Sequence, residues 1–337
     1  MDESLSPEAP VLVTGGSGFL GSAIVRALLK RGLRVRTLVR SSSPSGNLEG
    51  LDCETVIGDL TDEPSLEAAL RGVRHLFHAA ADYRLWARDP SVILRVNVHG
   101  TRNLMRQALS AGVKRIVYTS SVAALKVADA KMPVDETAPL DPKDAIGNYK
   151  LSKTLAERAV QEMILRENLP AVIVNPTTPI GPRDIRPTPT GRMILDAARG
   201  KIPAYVDTGL NFAHVDDIAD GHLLAFDRGR IGERYILGGQ NLMLRDLLKL
   251  IAELTGRRAP WLRVPRAPLY PLAIGAEAIA HLTGKEPLLT LDGLRMSRYR
   301  MFFTSAKAER ELGYRSRPYT EGVIDALTWF REAGYLR

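Results

Sequence analysis

The sequence is poor in cysteine. Cys53 is the single cysteine among 337 residues, so the chain cannot form an internal disulfide. A cysteine redox pair and a metal site are excluded on the same ground. We therefore expect no metal and a reducing compartment, the cytoplasm.

Long apolar runs are also missing. No run reaches the roughly 20 residues that a membrane span requires. The nearest, residues 267–284, is interrupted by prolines and contains Glu277 and His281. We expect a core or lid helix there, with a membrane-surface helix as the alternative. The first ten residues, MDESLSPEAP, have neither the basic nor the apolar segment of a secretory signal.

Charge of one sign is in excess, because the net charge is +8. Most of this excess follows residue 170. A basic surface could suit nucleic acid, anionic lipid or a phosphorylated ligand. The arginines are scattered rather than clustered with aromatic residues, so we expect no nucleic-acid partner.

Short apolar runs alternate with longer amphipathic ones up to residue 176. The pattern predicts strands over 9–15, 34–40, 53–59, 75–81, 114–121 and 171–176. It predicts helices over 18–32, 65–73, 91–112 and 149–168. Such alternation predicts an α/β fold, a Rossmann-type doubly wound parallel sheet with helices on both faces.

A proline-rich stretch, residues 175–192, follows and cannot form a regular helix or a central strand. Beyond it the pattern predicts helices over 191–200, 214–227, 244–256 and 320–333, with short strands such as 234–239. We expect a dinucleotide-binding domain over 9–176, with 211–228 packing back on it. A smaller α+β substrate-binding region should occupy 177–337.

A glycine motif joins the first predicted strand to the first helix, within VLVTGGSGFLGSAIVRALL at 11–29. Gly16, Gly18 and Gly21 fit the dinucleotide fingerprint, and Gly15, Gly18 and Gly21 after Thr14 fit a variant spacing. The glycines permit a tight turn and close approach of a pyrophosphate, which the helix N-terminus attracts. The alternative is a glycine turn without a ligand.

Arg40 ends the second predicted strand and precedes Ser41, Ser42 and Ser43. A carboxylate at this point would bind the ribose hydroxyl of NAD, whereas arginine accepts a 2′-phosphate. The residues favour NADP(H), with NAD(H) possible. A solvated arginine at a strand end is the alternative.

Several ordered motifs resemble the extended short-chain dehydrogenase/reductases of the NAD-dependent epimerase/dehydratase superfamily. They are the Thr14 glycine motif, Asp59-Leu60, HAAA at 78–81, NVHGT at 97–101, TSS at 119–121, and Tyr149-x-x-x-Lys153. Within the family, the chain looks closest to the dihydroflavonol 4-reductase-like branch. Segments such as DYRLWARDP look in particular like the bacterial hopanoid-associated sugar epimerase group.

This resemblance implies a cofactor site. Asp59 and Leu60 should flank the adenine, Ala79, Ala80 and Ala81 should line the dinucleotide, and Pro176 and Thr177 should meet the nicotinamide carboxamide. Asn97 should be structural, and Asp59 could simply form a turn. The full expected set is Gly15, Ser17, Gly18, Phe19, Leu20, Gly21, Arg40, Asp59, Leu60, Ala79, Ala80, Ala81, Tyr149, Lys153, Pro176 and Thr177.

Ser121, Tyr149 and Lys153 form the expected catalytic set, with Ser120 as the rival serine. Hydride transfer to a carbonyl leaves negative charge on oxygen, which must receive a proton. A free tyrosine has a pKa near 10, and we expect the Lys153 ammonium to lower it. Ser121 should hydrogen-bond the substrate oxygen.

The substrate is less readable. Four residues lie in loops expected around the nicotinamide end, namely Tyr83, Trp86, Tyr205 and His214, and their aromatic character suggests an apolar or ring-bearing carbonyl compound. Packing is the alternative for each aromatic residue, and His214 is better read as structural.

The favoured function is an NADP(H)-dependent oxidoreductase that reduces an aldehyde or ketone, acting reversibly as an alcohol dehydrogenase. The alternatives are an NAD-dependent nucleotide-sugar epimerase or dehydratase and a non-catalytic NADP(H) sensor. The segment NPTTPIGP departs from the N-x-Y-G-P pattern of the epimerases. Relatives often form a homodimer through a four-helix bundle, here over 91–111 and 149–168.

Overall fold

The computed structural model describes residues 9–127, 132–287 and 289–336. The first eight residues, to which most of the secretory-signal prediction applies, lie outside the described residues. None of the helices in the described ranges is long and apolar enough to cross a membrane.

Strands of the described residues alternate with helices as the pattern predicts. They are β1 (Val11–Thr14), β2 (Val35–Val39), β3 (Cys53–Ile57), β4 (His75–His78), β5 (Arg115–Thr119), β6 (Ala171–Pro176), β7 (Thr178–Ile180), β8 (Ala204–Tyr205), β9 (Gly209–His214), β10 (Arg234–Leu237), β11 (Gln240–Met243), β12 (Leu262–Arg263) and β13 (Arg300–Met301).

The helices are α1 (Phe19–Lys30), α2 (Glu63–Leu70), α3 (Ser91–Leu94), α4 (Thr101–Ser110), α5 (Gly147–Glu167), α6 (Pro189–Ala198), α7 (Val215–Arg228), α8 (Leu244–Thr255), α9 (Leu269–Thr283), α10 (Leu291–Met296), α11 (Ala306–Leu312) and α12 (Tyr319–Glu332). Short 3₁₀ helices cover Val122–Ala124 and Pro142–Asp144, and a π-helical segment, Arg95–Gly100, joins α3 to α4.

Seven strands form a parallel sheet in the order β10-β6-β5-β4-β1-β2-β3. β1, β4 and β6 are buried along their whole length, as two-sided cover requires. Because β1 pairs with β2 on one side and β4 on the other, the strand order reverses there. Ligands bind at the carboxyl ends of strands beside such a point. The predicted fold class is confirmed.

Two apolar layers cover this sheet. On one face α1 packs against α7, with Leu28 and Phe226 both buried. On the other face α2, α4 and α5 bury side chains that include Leu66, Leu104 and Val160. The chain thus returns to the sheet with α7 after leaving it at Pro176.

The strand Arg234–Leu237 corrects one sequence expectation. The pattern placed 234–239 in the second region, but β10 pairs in parallel with β6 and extends the main sheet. The second region instead contains a small sheet in which β9 pairs with β7, β11 and β13. Helices α6, α8 and α12 pack beside it around buried Ile194, Ile251 and Phe330.

Helix α9 lies at the surface, so of the two expectations for 267–284, a core helix and a lid helix, the core helix is wrong. It buries Ala273 and Ala280 but exposes Leu272, Ile279 and Leu282. It packs against α10.

Candidate active site

The glycine turn after β1 is closed by its own backbone. The N–H of Gly18 donates to the Gly15 carbonyl at 2.9 Å. A Cβ on residue 21 would lie 2.0 Å from that carbonyl oxygen, and one on Gly15, whose φ is +74°, would lie 2.7 Å from the Ala80 nitrogen. Both positions therefore require glycine.

Helix α1 begins immediately after this turn, capped by Gly18 without a side-chain hydrogen bond and without an acidic residue in its first turn. Its first N–H groups, at Phe19 and Leu20, lack intrahelical partners, so this end favours an anion. Ser17 is buried, and its carbonyl accepts from Asn47 Nδ2 at 3.2 Å. Sequence reasoning missed Asn47, because nothing in its loop distinguishes it.

Arg40 is exposed at the end of β2 and borders a cavity of about 480 Å³ together with Ser17, Ser41 and Ser43. Ser42 does not line this cavity, and its carbonyl accepts from Arg186 at 3.4 Å. The cavity therefore offers a guanidinium and hydroxyl groups, the donors that suit a phosphate. It also contains the Glu49 carboxylate, which accepts from Ser45 at 3.2 Å.

Asp59 follows β3 and forms a turn. Its Oδ1 accepts from the Thr61 N–H at 2.9 Å and from the Thr61 hydroxyl at 2.7 Å. Burial tends to raise the pKa of Asp59, but these hydrogen bonds and the charge of Arg40 bring it below its ordinary value. Leu60 is buried against Gly100. Asp59 thus has the turn role that the sequence left open, while its Oδ2 makes no hydrogen bond with the described residues.

The small residues after β4 lie directly beside the glycine turn. The Ala79 N–H donates to the Thr14 carbonyl at 3.2 Å, and the Ala80 N–H donates to the Thr14 hydroxyl at 3.3 Å. Ala79, Ala80 and Ala81 are partly exposed. These hydrogen bonds fix the alanines beside the residue that ends β1.

His78 organises the network beneath these alanines, and sequence reasoning missed it. Its Nδ1 lies 2.7 Å from the Thr14 hydroxyl, and its Nε2 lies 2.9 Å from the Thr101 hydroxyl. Burial, with a smaller effect of the Lys153 charge, lowers the pKa of His78 to about 3. The ring is therefore neutral and links β1, β4 and α4.

Tyr149 lies in the first turn of α5, and the Ser121 side chain is near enough to its hydroxyl to act on the pKa of the phenol. Ser121 follows β5, and its Oγ accepts from the Ala123 N–H at 3.1 Å. The rival Ser120 is buried, and its N–H donates to the Val174 carbonyl at 2.8 Å. Of the two serines, Ser121 is the one whose side chain acts on the pKa of Tyr149.

Lys153 lies one helical turn after Tyr149 and is buried. Its Nζ donates to the Thr119 carbonyl at 2.9 Å and lies 5.5 Å from the centre of the Tyr118 ring. Burial lowers the pKa of Lys153 to about 8, against the opposing charge of Glu157.

The pKa of Tyr149 differs from the sequence expectation. Burial raises it, and the nearby Ser121 side chain offsets part of that rise. The expected lowering by Lys153 is wrong for the protein alone, because desolvation of the phenol dominates and the ammonium is directed at Thr119. The Tyr149 hydroxyl is consequently a protonated group at neutral pH.

Glu157 extends this cluster and was also missed. The carboxylate is buried, accepts from Asn175 Nδ2 at 2.7 Å and lies 3.4 Å from an Arg234 nitrogen. Asn175 Nδ2 donates in turn to the Ser121 carbonyl at 3.0 Å. The position of Glu157 four residues after Lys153 could have drawn attention to it.

The end of β6 supplies the last expected contacts. Pro176 closes the strand, and Thr177 is buried with its N–H donating to the Leu237 carbonyl at 3.2 Å. The Thr177 hydroxyl has no hydrogen-bond partner among the described residues. A buried hydroxyl of this kind can be satisfied by a water molecule or by a polar atom of a ligand. Together with the glycine turn, it shows that the residues present fit a dinucleotide.

Asn97 lies in the π-helical segment and has the structural role expected of it. Its side chain accepts from the Asp82 N–H at 2.7 Å and donates to the Asp82 carbonyl at 2.8 Å. It also donates to the Ser152 hydroxyl at 2.9 Å. The π-helical turn thereby ties the loop after β4 to α5.

The candidate substrate residues are more dispersed. Tyr83 is exposed, with its hydroxyl 3.4 Å from the Arg186 carbonyl, and Trp86 packs edge-on against His281 of α9 at 5.3 Å. Tyr205 is partly buried in β8. His214 is buried, caps α7 and lies 3.1 Å from Asp325, as befits a structural residue. The described residues contain no His, Cys, Asp and Glu cluster able to hold a metal ion.

Comparisons with known proteins agree with this geometry. The model of the NAD dependent epimerase/dehydratase family matches residues 11–238. A Synechocystis sp. protein named "Putative dihydroflavonol 4-reductase" is 43% identical over 329 residues, which cover 96% of this chain and 95% of the relative. Sterol demethylase protein B of Methylococcus capsulatus is 35% identical over 327 residues, with 96% and 99% covered.

Among solved structures, gox2253 superposes with a TM-score of 0.88 at 52% identity, with 98% of this chain and 100% of that chain covered. The chain therefore belongs to the NAD-dependent epimerase/dehydratase family and is an NAD(P)-dependent oxidoreductase of the extended short-chain dehydrogenase/reductase type, in its dihydroflavonol 4-reductase-like branch.

Proposed function

We propose that this protein reduces an aldehyde or ketone with NADPH and that Tyr149 donates the proton. The proximity of the Ser121 side chain to Tyr149, through which it acts to lower the pKa of the phenol, carries the proposal. It sets a proton donor and a second hydroxyl at the carboxyl end of β5, where ligands bind in such sheets. The name of one relative, "Putative dihydroflavonol 4-reductase", supports reduction.

The chemistry follows from these side chains. A bound NADPH would supply the hydride. As a carbonyl oxygen gains negative charge, Ser121 would hydrogen-bond it and Tyr149 would protonate it. The Lys153 ammonium, one turn away, would stabilise the phenolate that proton donation leaves.

Several segments of the chain would hold the cofactor. The glycine turn and α1 would receive the pyrophosphate, and Thr177 would meet the carboxamide. Asp59, Leu60 and the alanines 79–81 would border the dinucleotide between them. Arg40 with its neighbouring serines would bind the 2′-phosphate, which is the basis for NADP(H) over NAD(H).

The substrate would be an apolar or ring-bearing carbonyl compound, received by the second region, residues 177–337. Tyr83 and Trp86 are the aromatic residues proposed to contact it. The contact of Trp86 with His281 would make α9 one wall of the entrance. The description of another relative as a sterol demethylase protein supports a ring-bearing compound.

The test is a reduction assay with the purified protein. Bound nucleotide is identified first, and NADPH absorbance is then followed with a panel of aldehydes and ketones. Oxidation of NADPH that Tyr149→Phe abolishes is expected. Tightly held NAD⁺ with sugar interconversion would favour the epimerase, and nucleotide binding without turnover would favour a sensor.

A homodimer in the cytoplasm is part of the proposal. The π-helical segment with α4 would pair with α5 of a second copy in a four-helix bundle. Leu165 of α5 is 83% exposed, and such an apolar side chain suits an interface. Light scattering after size-exclusion chromatography should show a dimer that Leu165→Glu dissociates. A monomeric wild-type protein would contradict it.

A further inference from the structure

Helix α9 has an exposed face that contains no Asp, Glu, Lys or Arg. The exposed residues span about 200° of the helix circumference, at 100° per residue. They include four large aliphatic side chains, of which Leu282 is 85% and Ile279 is 61% exposed. Contiguous apolar surfaces of this kind mark sites of interaction with proteins or membranes. The exposed set is Pro271, Leu272, Ile274, Gly275, Ala278, Ile279, His281, Leu282 and Thr283.

The one carboxylate of α9 is directed away from this face. Glu277 is the only Asp, Glu, Lys or Arg in the helix, and its Oε1 accepts from the Leu291 N–H at 2.8 Å. Leu291 begins α10, the helix against which α9 packs. The apolar face is therefore uninterrupted by charge, whereas a surface helix ordinarily has charged residues on its solvent side.

The segment that precedes α9 adds further exposed apolar side chains. Trp261 is 85% exposed, and Leu262 is exposed beside it in the sequence. Arg266 ties this segment to α9 and α10, because its guanidinium donates to the carbonyl of Ser297, directly after α10, at 2.7 Å. Tryptophan suits a boundary between water and an apolar phase, since the indole has an apolar body and one N–H group.

Basic residues accompany this apolar surface. Arg263 is paired with Asp207 at 3.0 Å, but Arg257, Arg258 and Lys285 are exposed and have no ion-pair partner among the described residues. From residue 256 to residue 285 the chain contains one acidic residue, Glu277, and five basic ones. The five are Arg257, Arg258, Arg263, Arg266 and Lys285.

The charge of these residues decides which partner fits. A twofold contact with a second copy would place the same basic surface against itself, and like charges oppose such a contact. An anionic bilayer attracts the same residues, and each Lys or Arg near its surface strengthens binding about fivefold. Apolar side chains, an exposed tryptophan and basic residues together are the features of a helix that lies in a membrane interface.

We propose that α9 and the Trp261 segment dock on the surface of an anionic lipid bilayer. The apolar face of α9 enters the boundary between headgroups and acyl chains, and Arg257, Arg258 and Lys285 lie at the headgroups. The helix lies along the membrane surface, because its opposite side packs on α10. The proposal concerns binding to a membrane and does not depend on the reduction proposed above.

The experiment is flotation of the full chain with lipid vesicles. The vesicles contain phosphatidylglycerol and phosphatidylcholine in equal parts, and vesicles of phosphatidylcholine alone are the control. The chain should float with the anionic vesicles and bind the neutral ones at least about tenfold more weakly. Trp261 emission should shift to shorter wavelength on binding, and Trp261→Phe should remove that shift.

Single substitutions separate the apolar face from general charge attraction. Ile279→Gln and Leu282→Gln keep the net charge and should each weaken binding to the anionic vesicles at least about tenfold. Ile231→Gln is the matched control and should leave binding unchanged. Ile231 is 51% exposed, and the N–H of the next residue, Gly232, donates to the Ala171 carbonyl at the start of β6 at 2.9 Å. All three variants should melt with the wild type, because the replaced side chains are exposed.

Three results would overturn the proposal. One is that the chain does not float with the anionic vesicles. Another is that Ile279→Gln and Leu282→Gln float as the wild type does, which would leave charge alone as the cause. The third is that Ile279→Gln lowers the molar mass in light scattering, which would make the face an interface between copies of the chain.

Discussion

Glu157 lies one helical turn after Lys153 in α5, and its charge raises the pKa of Lys153 against the effect of burial. The carboxylate is held by Asn175 at 2.7 Å and lies 3.4 Å from Arg234. Glu157 does not touch the Tyr149–Ser121 pair, so we regard it as a positioning residue. Its charge favours the ammonium form of Lys153, and its hydrogen bond with Asn175 fixes the carboxyl end of β6.

Glu157→Gln should therefore lower the pKa of Lys153 below about 8, because an opposing charge favours the ammonium. The amide keeps the size of the side chain. The alkaline limb of kcat/KM for carbonyl reduction should move to lower pH by about one unit. Glu162→Gln, in the exposed pair with Arg166, is the control. An unmoved profile would contradict the role of Glu157.

Gly21→Ala should weaken nucleotide binding and destabilise the fold. The added Cβ would lie 2.0 Å from the Gly15 carbonyl oxygen, so the turn must shift. We expect the unfolding free energy to fall by about 1–3 kcal/mol, as measured by denaturant titration. The Kd for NADPH, measured by titration with the nucleotide, should rise at least tenfold. Gly275→Ala is the control, since a Cβ there meets nothing within 4 Å. Equal behaviour of the two variants would refute the explanation.

Arg40→Asp should change the cofactor preference. The substitution replaces the proposed partner of the 2′-phosphate with a carboxylate, which has the same sign of charge as the phosphate. The kcat/KM for NADPH should therefore fall at least about tenfold relative to that for NADH. Arg74→Asp is the control, because Arg74 is exposed at the amino-terminal end of β4, whereas Arg40 follows the carboxyl end of β2. An unchanged ratio in Arg40→Asp would mean that Arg40 does not bind the 2′-phosphate.

Stability should fall on acidification because two histidines are buried in the neutral form. Burial lowers the pKa of His78 to about 3 and that of His222 to about 4, from 6.5. Below pH 6.5 the unfolded chain therefore binds more protons than the folded protein. The stabilisation from the two neutral histidines is full above pH 6.5, and it is lost as pH falls towards their pKa values in the folded protein.

His222→Gln isolates one of these groups. The wild type should lose about 2 kcal/mol more unfolding free energy than the variant between pH 7 and pH 5, as measured by urea titration at both values. Asp184, whose pKa burial raises to about 6, acts in the opposite direction but is common to both proteins. Parallel losses in the two proteins would show that His222 does not titrate as inferred.

The amino-acid sequence determined the features that depend on local periodicity and spacing. Alternating apolar runs predict the strands from β1 to β6 because a two-sided parallel sheet needs continuous apolar residues. The glycine spacing predicts the turn, since only glycine permits the approach of residue 21 to the Gly15 carbonyl. The four-residue interval between Tyr149 and Lys153 predicts a shared helix face.

Tertiary structure decided everything that depends on contacts between distant segments. β10 joined the main sheet because its pairing with β6 is invisible in a run of four residues. His78 and Glu157 became buried network residues only through partners on other elements, namely Thr101, Asn175 and Arg234. The pKa of Tyr149 rose rather than fell because desolvation is a property of the packed protein, and residue spacing contains no information about it.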